Sequence, residues 1–241
     1  MDEITAAKLN QINAEFYQTF AAQFSDTRMR LQPGVRKILD SLGPEAALSI
    51  LDLGCGNGEL ARDLARRRFR GAYLGLDFSE ALLIEAHRGL DEHPHFVFAP
   101  VDLADGAPAI DLPRDTFDRV FAFAVLHHIP GRERRAHLLR IVRGLLPPDG
   151  LFIHSNWQFL RSERLRKRIH PWSEVGLLDD DVDPDDYLLD WRRGGFGLRY
   201  VHHFSEPELA SLAADTGFRV LETFYSDGES GDLGLYQIWG R

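Results

Sequence analysis

An α/β fold built on a largely parallel sheet is predicted by three features of this 241-residue chain. At 49–59 a short apolar strand runs directly into an acid, a glycine turn and a helix. Strand and helix patterns then alternate through the middle of the chain, as in a sheet covered by helices. Two apolar segments near the C-terminus, joined by the polar turn 226–232, read as a closing antiparallel strand pair.

The elements follow in order. Residues 4–30 read as a helix, with Leu9, Ile12, Phe16, Phe20 and Phe24 at spacings of three and four. Pro33 opens a second helix carrying Val35, Ile38 and Leu39, which stops near Gly43-Pro44. Strands are predicted at 48–53, 72–77, 96–101, 117–123 and 150–155. Helices are predicted at 57–68, 79–89 and 132–146, with a loop through 103–116. A last helix starts at Ser205-Glu206-Pro207-Glu208 and continues through 210–216, before strands at 220–225 and 233–239.

Segment 156–204 breaks the alternation and reads as a lid or substrate-recognition insertion. Its acidic run at 179–186 lacks the Gly and Glu placement of a calcium loop and reads as solvated. The chain divides into N-terminal helices (1–45), a cofactor-binding core (46–155), the insertion (156–204) and a sheet-completing tail (205–241) within one domain.

Composition narrows the function classes. A net charge of −9 excludes a surface that is basic throughout, the usual source of nonspecific nucleic-acid affinity. Positive charge is local: around 62–70, along 132–143, and at Arg161, Arg164, Arg166, Lys167 and Arg168, the best RNA candidate because it falls in the insertion. The apolar runs are too short to span a bilayer, and the acidic start Met1-Asp2-Glu3 does not read as a signal peptide. Cys55, the single cysteine, fits a packing role in a reducing, cytoplasmic setting. No metal site is expected.

The glycine turn specifies the cofactor class. A pyrophosphate would be repelled by carboxylates at a helix N-terminus. Asp52 before the turn and Glu59 after it instead suit a ligand with an amine or a positive centre. S-adenosylmethionine (SAM) carries a sulfonium, an ammonium and no phosphate. Gly54, Cys55, Gly56, Asn57 and Gly58 form the cradle. Asp77, ending the second strand before Phe78 and Ser79, is placed to accept both ribose hydroxyls. Asp102 can accept from an adenine amino group while the Leu103 amide donates to a ring nitrogen. Ala124, His127 and His128 follow the fourth strand and should face the reacting group. The two histidines read equally as a loop-pinning pair or as contacts to cofactor and acceptor, with either one the nearest base for an acceptor that needs deprotonation.

In segments 51–58, 74–79 and 121–130 and at Asp102, the chain resembles the class I SAM-dependent methyltransferases. That resemblance implies a Rossmann-like seven-stranded sheet of order 3-2-1-4-5-7-6, with the last strand antiparallel. Phe16-Tyr17 with 24–28, the 125–128 motif, 132–135 and Arg199-Tyr200-Val201-His202-His203-Phe204 resemble the tRNA wobble-uridine carboxymethyl methyltransferases more narrowly. This implies that Tyr17 and Arg28 close the cofactor site, and that Arg199, Tyr200, His202 and His203 line the acceptor side. It also implies a tRNA substrate and a small activator subunit. The acidic net charge favours a small-molecule acceptor instead, and a non-catalytic SAM-binding partner subunit is a further alternative.

Overall fold

A computed structural model describes residues 1–26, 30–42, 48–105 and 112–241. Arg28, the Gly43-Pro44 stop, the Phe24 side chain and loop residues 106–111 lie outside the described residues. Helices α1 (Glu3–Asp26) and α2 (Pro33–Ser41) precede strand β1 (Ile50–Leu53), then α3 (Glu59–Arg66), β2 (Tyr73–Asp77), α4 (Glu80–Ala86), β3 (Phe96–Pro100) and β4 (Arg119–Phe123). Next come α5 (Arg132–Leu145), β5 (Leu151–Trp157), α6 (Glu163–Arg166), β6 (Ile169–His170), β7 (Asp186–Trp191) and β8 (Gly197–His202). The chain closes with α7 (Glu206–Asp215), β9 (Arg219–Ser226) and β10 (Gly234–Gly240).

Seven strands form one sheet in the order β3-β2-β1-β4-β5-β10-β9. The first five run parallel, and β10 lies antiparallel to both β5 and β9. This is the order the resemblance implied, once the three strands of the insertion are set aside. The centre of the sheet is dry on both faces, and β1 shows why its sequence carries no polar alternation: all four of its residues are buried, whereas the edge strands β3 and β9 are partly exposed. One core lies under α5 and α7 around Leu139, Phe152 and Trp239. The other lies under α2 and α3 around Leu64, Tyr73 and Tyr236.

The insertion is more ordered than its sequence suggested. Strands β6, β7 and β8 form a separate antiparallel sheet. Helix α1 packs on it rather than on the main sheet, burying Leu9 against Trp172, Leu188 and Tyr200. Asn13 fastens the two: its Nδ2 donates to the Tyr200 carbonyl at 3.2 Å, and its Oδ1 accepts from the Tyr200 amide at 2.8 Å. The N-terminal ammonium sits 2.6 Å from Asp183. The acidic run is therefore not wholly solvated: Asp186 is buried and accepts from the Tyr200 hydroxyl at 2.8 Å. Helix α1 is also interrupted at Phe20, whose backbone is non-helical (φ −114°, ψ 15°), where the sequence suggested one unbroken helix.

Candidate active site

A cavity of about 570 Å³ opens at the carboxyl ends of β1, β2, β4 and β5, walled on one side by α1 and the small sheet. Its floor is the glycine turn. The amides of Gly54 and Cys55 both donate to the Leu76 carbonyl, at 2.7 and 3.0 Å, folding the turn back across β2. Gly56 has a positive φ of 56°, and a Cβ built there meets no atom within 4 Å, so the backbone itself faces the open cradle. Gly58 lies outside the lining and serves packing: a Cβ there would stand 2.8 Å from Ala86 of α4.

Asp52, Glu59, Asp77 and Asp102 edge this cradle, and Glu59 is taken up by Arg62 at 3.2 Å and Arg66 at 2.7 Å. Asp77 is buried, its Oδ2 accepting from the Gly56 amide at 2.9 Å and its Oδ1 from the Ser79 amide at 2.9 Å. Burial pushes its pKa up, against the pull of those amides. Each carboxylate oxygen has a second lone pair, so capacity for two further donors remains. Asp52 lies beneath the turn, where the Tyr73 hydroxyl donates to it at 2.6 Å and burial raises its pKa to about 7. Asp102 accepts from the Asn10 side chain at 3.0 Å and the Ala104 amide at 2.9 Å. Phe78, Leu103, Asn57 and Cys55 also line the cavity. Asn57 donates to the Ser25 hydroxyl at 2.8 Å, whereas burial raises the Cys55 thiol well above its ordinary value and leaves it a packing group. Ser79 is not in the lining; its hydroxyl accepts from the Leu82 amide at 3.4 Å and caps α4.

This set fits SAM. An open glycine cradle, a buried acid at the end of β2 and carboxylates near the turn offer acceptors to hydroxyl, amine and sulfonium groups. The same carboxylates would repel a pyrophosphate.

Facing the cradle, the backbone turns sharply at Ala124, whose φ of 59° is unusual for a non-glycine residue. Its amide donates to the Ser155 carbonyl at 3.0 Å. The two histidines after it line the cavity and also pin the loop. His128 Nδ1 donates to the Tyr200 carbonyl at 3.2 Å, which leaves Nε2 of the neutral ring to accept from the Tyr17 hydroxyl at 2.9 Å. His127 is buried, and its Nδ1 faces the Trp157 amide at 3.4 Å.

On the acceptor side, Arg199 is only 6% exposed. Its guanidinium lies over the rings of Trp157, Phe16 and Trp191 at 5.0, 5.3 and 5.9 Å from their centroids. Tyr200, His202 and His203 do not join it in the lining; Tyr200 packs against Leu9 with its hydroxyl on Asp186. Period two along β8 puts Arg199 and His202 on opposite faces, so only one of them can face the cavity. His202 is buried between Asp186 at 2.7 Å and Glu208 at 2.8 Å. Its pKa is pushed down by burial, but the two carboxylates outweigh this and the net shift is upward. His203 lies past the strand with its ring edge on Phe159, and burial lowers its pKa.

The sequence did not single out Asn10, Asn13, Tyr73, Trp157 or Trp191. Their roles come from partners far away in the chain; Trp157 and Trp191, as large aromatics on the ends of strands beside a glycine-turn cleft, carried the only usable signal. Among the described residues, no group of three or more His, Cys, Asp or Glu side chains is arranged to hold a metal ion, and no helix is long and apolar enough to cross a membrane.

Comparison with known proteins agrees with this geometry. The family described as "Methyltransferase domain" matches residues 25–223. A trans-aconitate 2-methyltransferase of Acidovorax ebreus is 34% identical over 54% of this chain, a match spanning 44% of that relative's own length. A Schizosaccharomyces pombe tRNA (carboxymethyluridine(34)-5-O)-methyltransferase is 25% identical over 90% of the chain and 92% of the relative. Among solved structures, the Burkholderia thailandensis 1,6-didemethyltoxoflavin-N1-methyltransferase, which holds S-adenosylhomocysteine, superposes with a TM-score of 0.67 at 19% identity, covering all (100%) of this chain and 90% of that one. A Haloferax volcanii methyltransferase in complex with its Trm112 activator gives 0.65 at 17% identity, covering 93% and 95%. The chain belongs to the methyltransferase-domain family and is a class I SAM-dependent methyltransferase.

Proposed function

We propose that the enzyme esterifies a carboxylate, and that the carboxylate is a carboxymethyl group on a tRNA wobble uridine. The observation that carries the proposal is Arg199, a buried cation fixed by three aromatic rings in the wall of the cofactor cavity. A guanidinium held there suits an anionic acceptor, which it can grip through two parallel N–H donors.

When bound, SAM supplies an electrophilic methyl group next to a positive sulfur. Asp77 would hold its ribose, Asp102 and Leu103 its adenine, and Asp52 with the glycine turn its amino-acid end. Tyr17 would close the site from α1. Arg199 orients the acceptor oxygen, and this positioning is the main contribution available to the protein. A carboxylate is already ionised near neutral pH and needs no base. That matches His128, both of whose ring nitrogens are engaged in holding the loop.

Two groups of relatives support the carboxylate. The fission yeast tRNA enzyme is named for carboxymethyluridine, and trans-aconitate is itself a tricarboxylate. The first match extends over nearly the full length of both chains, which favours the tRNA reading. A small activator subunit belongs to that reading, as the Haloferax complex illustrates for its own methyltransferase. A small-molecule acceptor is the second reading, favoured by the net charge of −9.

The test offers the purified enzyme methyl-labelled SAM with either tRNA bearing carboxymethyluridine or trans-aconitate. Label in tRNA alone is the expected result. Label in trans-aconitate alone would transfer the assignment to a small acceptor.

A further inference from the structure

The hairpin joining β7 to β8 carries Arg192-Arg193-Gly194-Gly195-Phe196 at its tip. Phe196 is 60% exposed, where a ring of that size is ordinarily covered, and both arginines are exposed. The tip stands at the cavity. The strand entering it supplies Trp191 to the lining and the strand leaving it supplies Arg199. Glycines seat it on α1: a Cβ at Gly197 would fall 2.4 Å from the Phe20 ring.

Charge at this end of the small sheet is net positive, with Arg168, Arg192 and Arg193 against Asp190 and Glu174. Buried Asp190 faces Arg192 at 2.6 Å, His170 at 3.1 Å and Arg168 at 3.7 Å, so three basic groups share one carboxylate. His170 also pairs with Glu174 at 2.8 Å, and its ring meets Phe196 edge-on at 5.8 Å. The opposite end of the same sheet carries Asp185 and Asp186. The sheet is thus polarised, with its basic end at the cavity.

We propose that this tip docks the single-stranded nucleotide next to the one that is methylated, with its base stacked on Phe196 and its phosphates held by Arg192 and Arg193. The proposal rests on the RNA reading of the acceptor above. An exposed aromatic ring stacks any base, and flanking arginines take phosphates without reading sequence. A small acceptor enclosed beside Arg199 has no use for an aromatic platform outside the cavity. On a chain of net charge −9, a basic end beside the cavity also orients a polyanion toward the site.

The test measures binding of an unmodified anticodon stem-loop RNA to the full chain by fluorescence anisotropy at several salt concentrations. Phe196→Ala, and Arg192→Gln combined with Arg193→Gln, should each weaken binding about tenfold. The double variant should also flatten the salt dependence by about two ions. SAM affinity should stay unchanged in both, showing intact folding, and Leu221→Ala, at an exposed site on β9, should bind as the wild type does. Wild-type affinity in both variants, or no binding by the wild-type chain, would overturn the platform. Failure of the wobble-uridine reading looks different: the wild type binds the stem-loop but places no label in tRNA bearing carboxymethyluridine.

Discussion

The Tyr17 hydroxyl donates to Nε2 of His128 across 2.9 Å, joining α1 to the loop that follows β4. Through Nδ1 the same ring holds the Tyr200 carbonyl of the small sheet, so three separate parts of the chain meet at one imidazole. Tyr17 also packs edge-on against Phe78, beside the proposed ribose site. Tyr17→Phe removes one hydrogen bond, at a cost of about 1–2 kcal/mol. SAM affinity measured by calorimetry should fall about tenfold, with kcat little changed. Undiminished affinity would separate α1 from the cofactor site.

Asp77 ties the glycine turn to the end of β2 through the amides of Gly56 and Ser79. Asp77→Ala removes those two bonds together with the proposed ribose acceptors. Loss of several charge-assisted hydrogen bonds should weaken SAM binding at least about a hundredfold. Equal affinity in variant and wild type would contradict the ribose assignment.

Asp52 gives the site a pH dependence. Burial raises its pKa to about 7, so it is largely neutral in mild acid. A carboxyl whose folded value lies above its unfolded value favours folding in acid, and that contribution fades as pH rises through about 7. A cofactor bearing ammonium and sulfonium selects the ionised form. SAM affinity should therefore climb between about pH 6 and 8. Asp52→Asn should abolish that slope; an identical slope in the variant would place the titration elsewhere.

His202 makes the opposite kind of contribution, to stability rather than binding. Its folded pKa is raised above 6.5 because Asp186 and Glu208 outweigh burial. The stabilisation is fully present below the unfolded value and is lost as pH rises through the folded one. His202→Gln should cost about 3 kcal/mol in mild acid, as expected for opening a buried ion pair. The Tm difference from wild type should shrink at high pH, while SAM affinity stays near wild type. A pH-independent difference would mean that the imidazole acts as a neutral packing group.

Arg199 can be separated from the cofactor by kinetics. Arg199→Lys keeps the charge but gives up the planar stacking between Phe16, Trp157 and Trp191. Acceptor kcat/KM should fall about a hundredfold, equivalent to one strong charged hydrogen bond, with SAM affinity retained. A full loss of SAM binding would make Arg199 a structural residue.

How far the sequence could be read depended on whether a residue's partner lay nearby. The main sheet was legible because each strand carries its own signal. An apolar run ends in a turn, and the predicted cores of the strands agree with the observed ones, although their ends move by one or two residues. Asp52, Asp77 and Asp102 were legible for the same reason, since each sits at a strand end next to its glycine turn or loop. The small sheet was not. Strand β6 has only two residues, and the acids of β7 are buried by partners such as His202 and Arg168 that the local pattern does not reveal. Asn13 reads as one more polar helix residue until Tyr200, 187 positions later, closes on it. The resemblance grouped Arg199 with His202 and His203 by adjacency, yet strand pleating sends Arg199 into the cavity and His202 into the ion pair behind it.

The most direct measurement of the central claim is the chemistry of the product bond. The enzyme's methyl-labelled product is exposed to mild base and the volatile fraction counted. A methyl ester releases its label as methanol, and the buried Arg199 beside the cofactor cradle predicts that release. Label that survives base would sit on nitrogen, carbon or an ether oxygen, and would contradict a carboxylate acceptor.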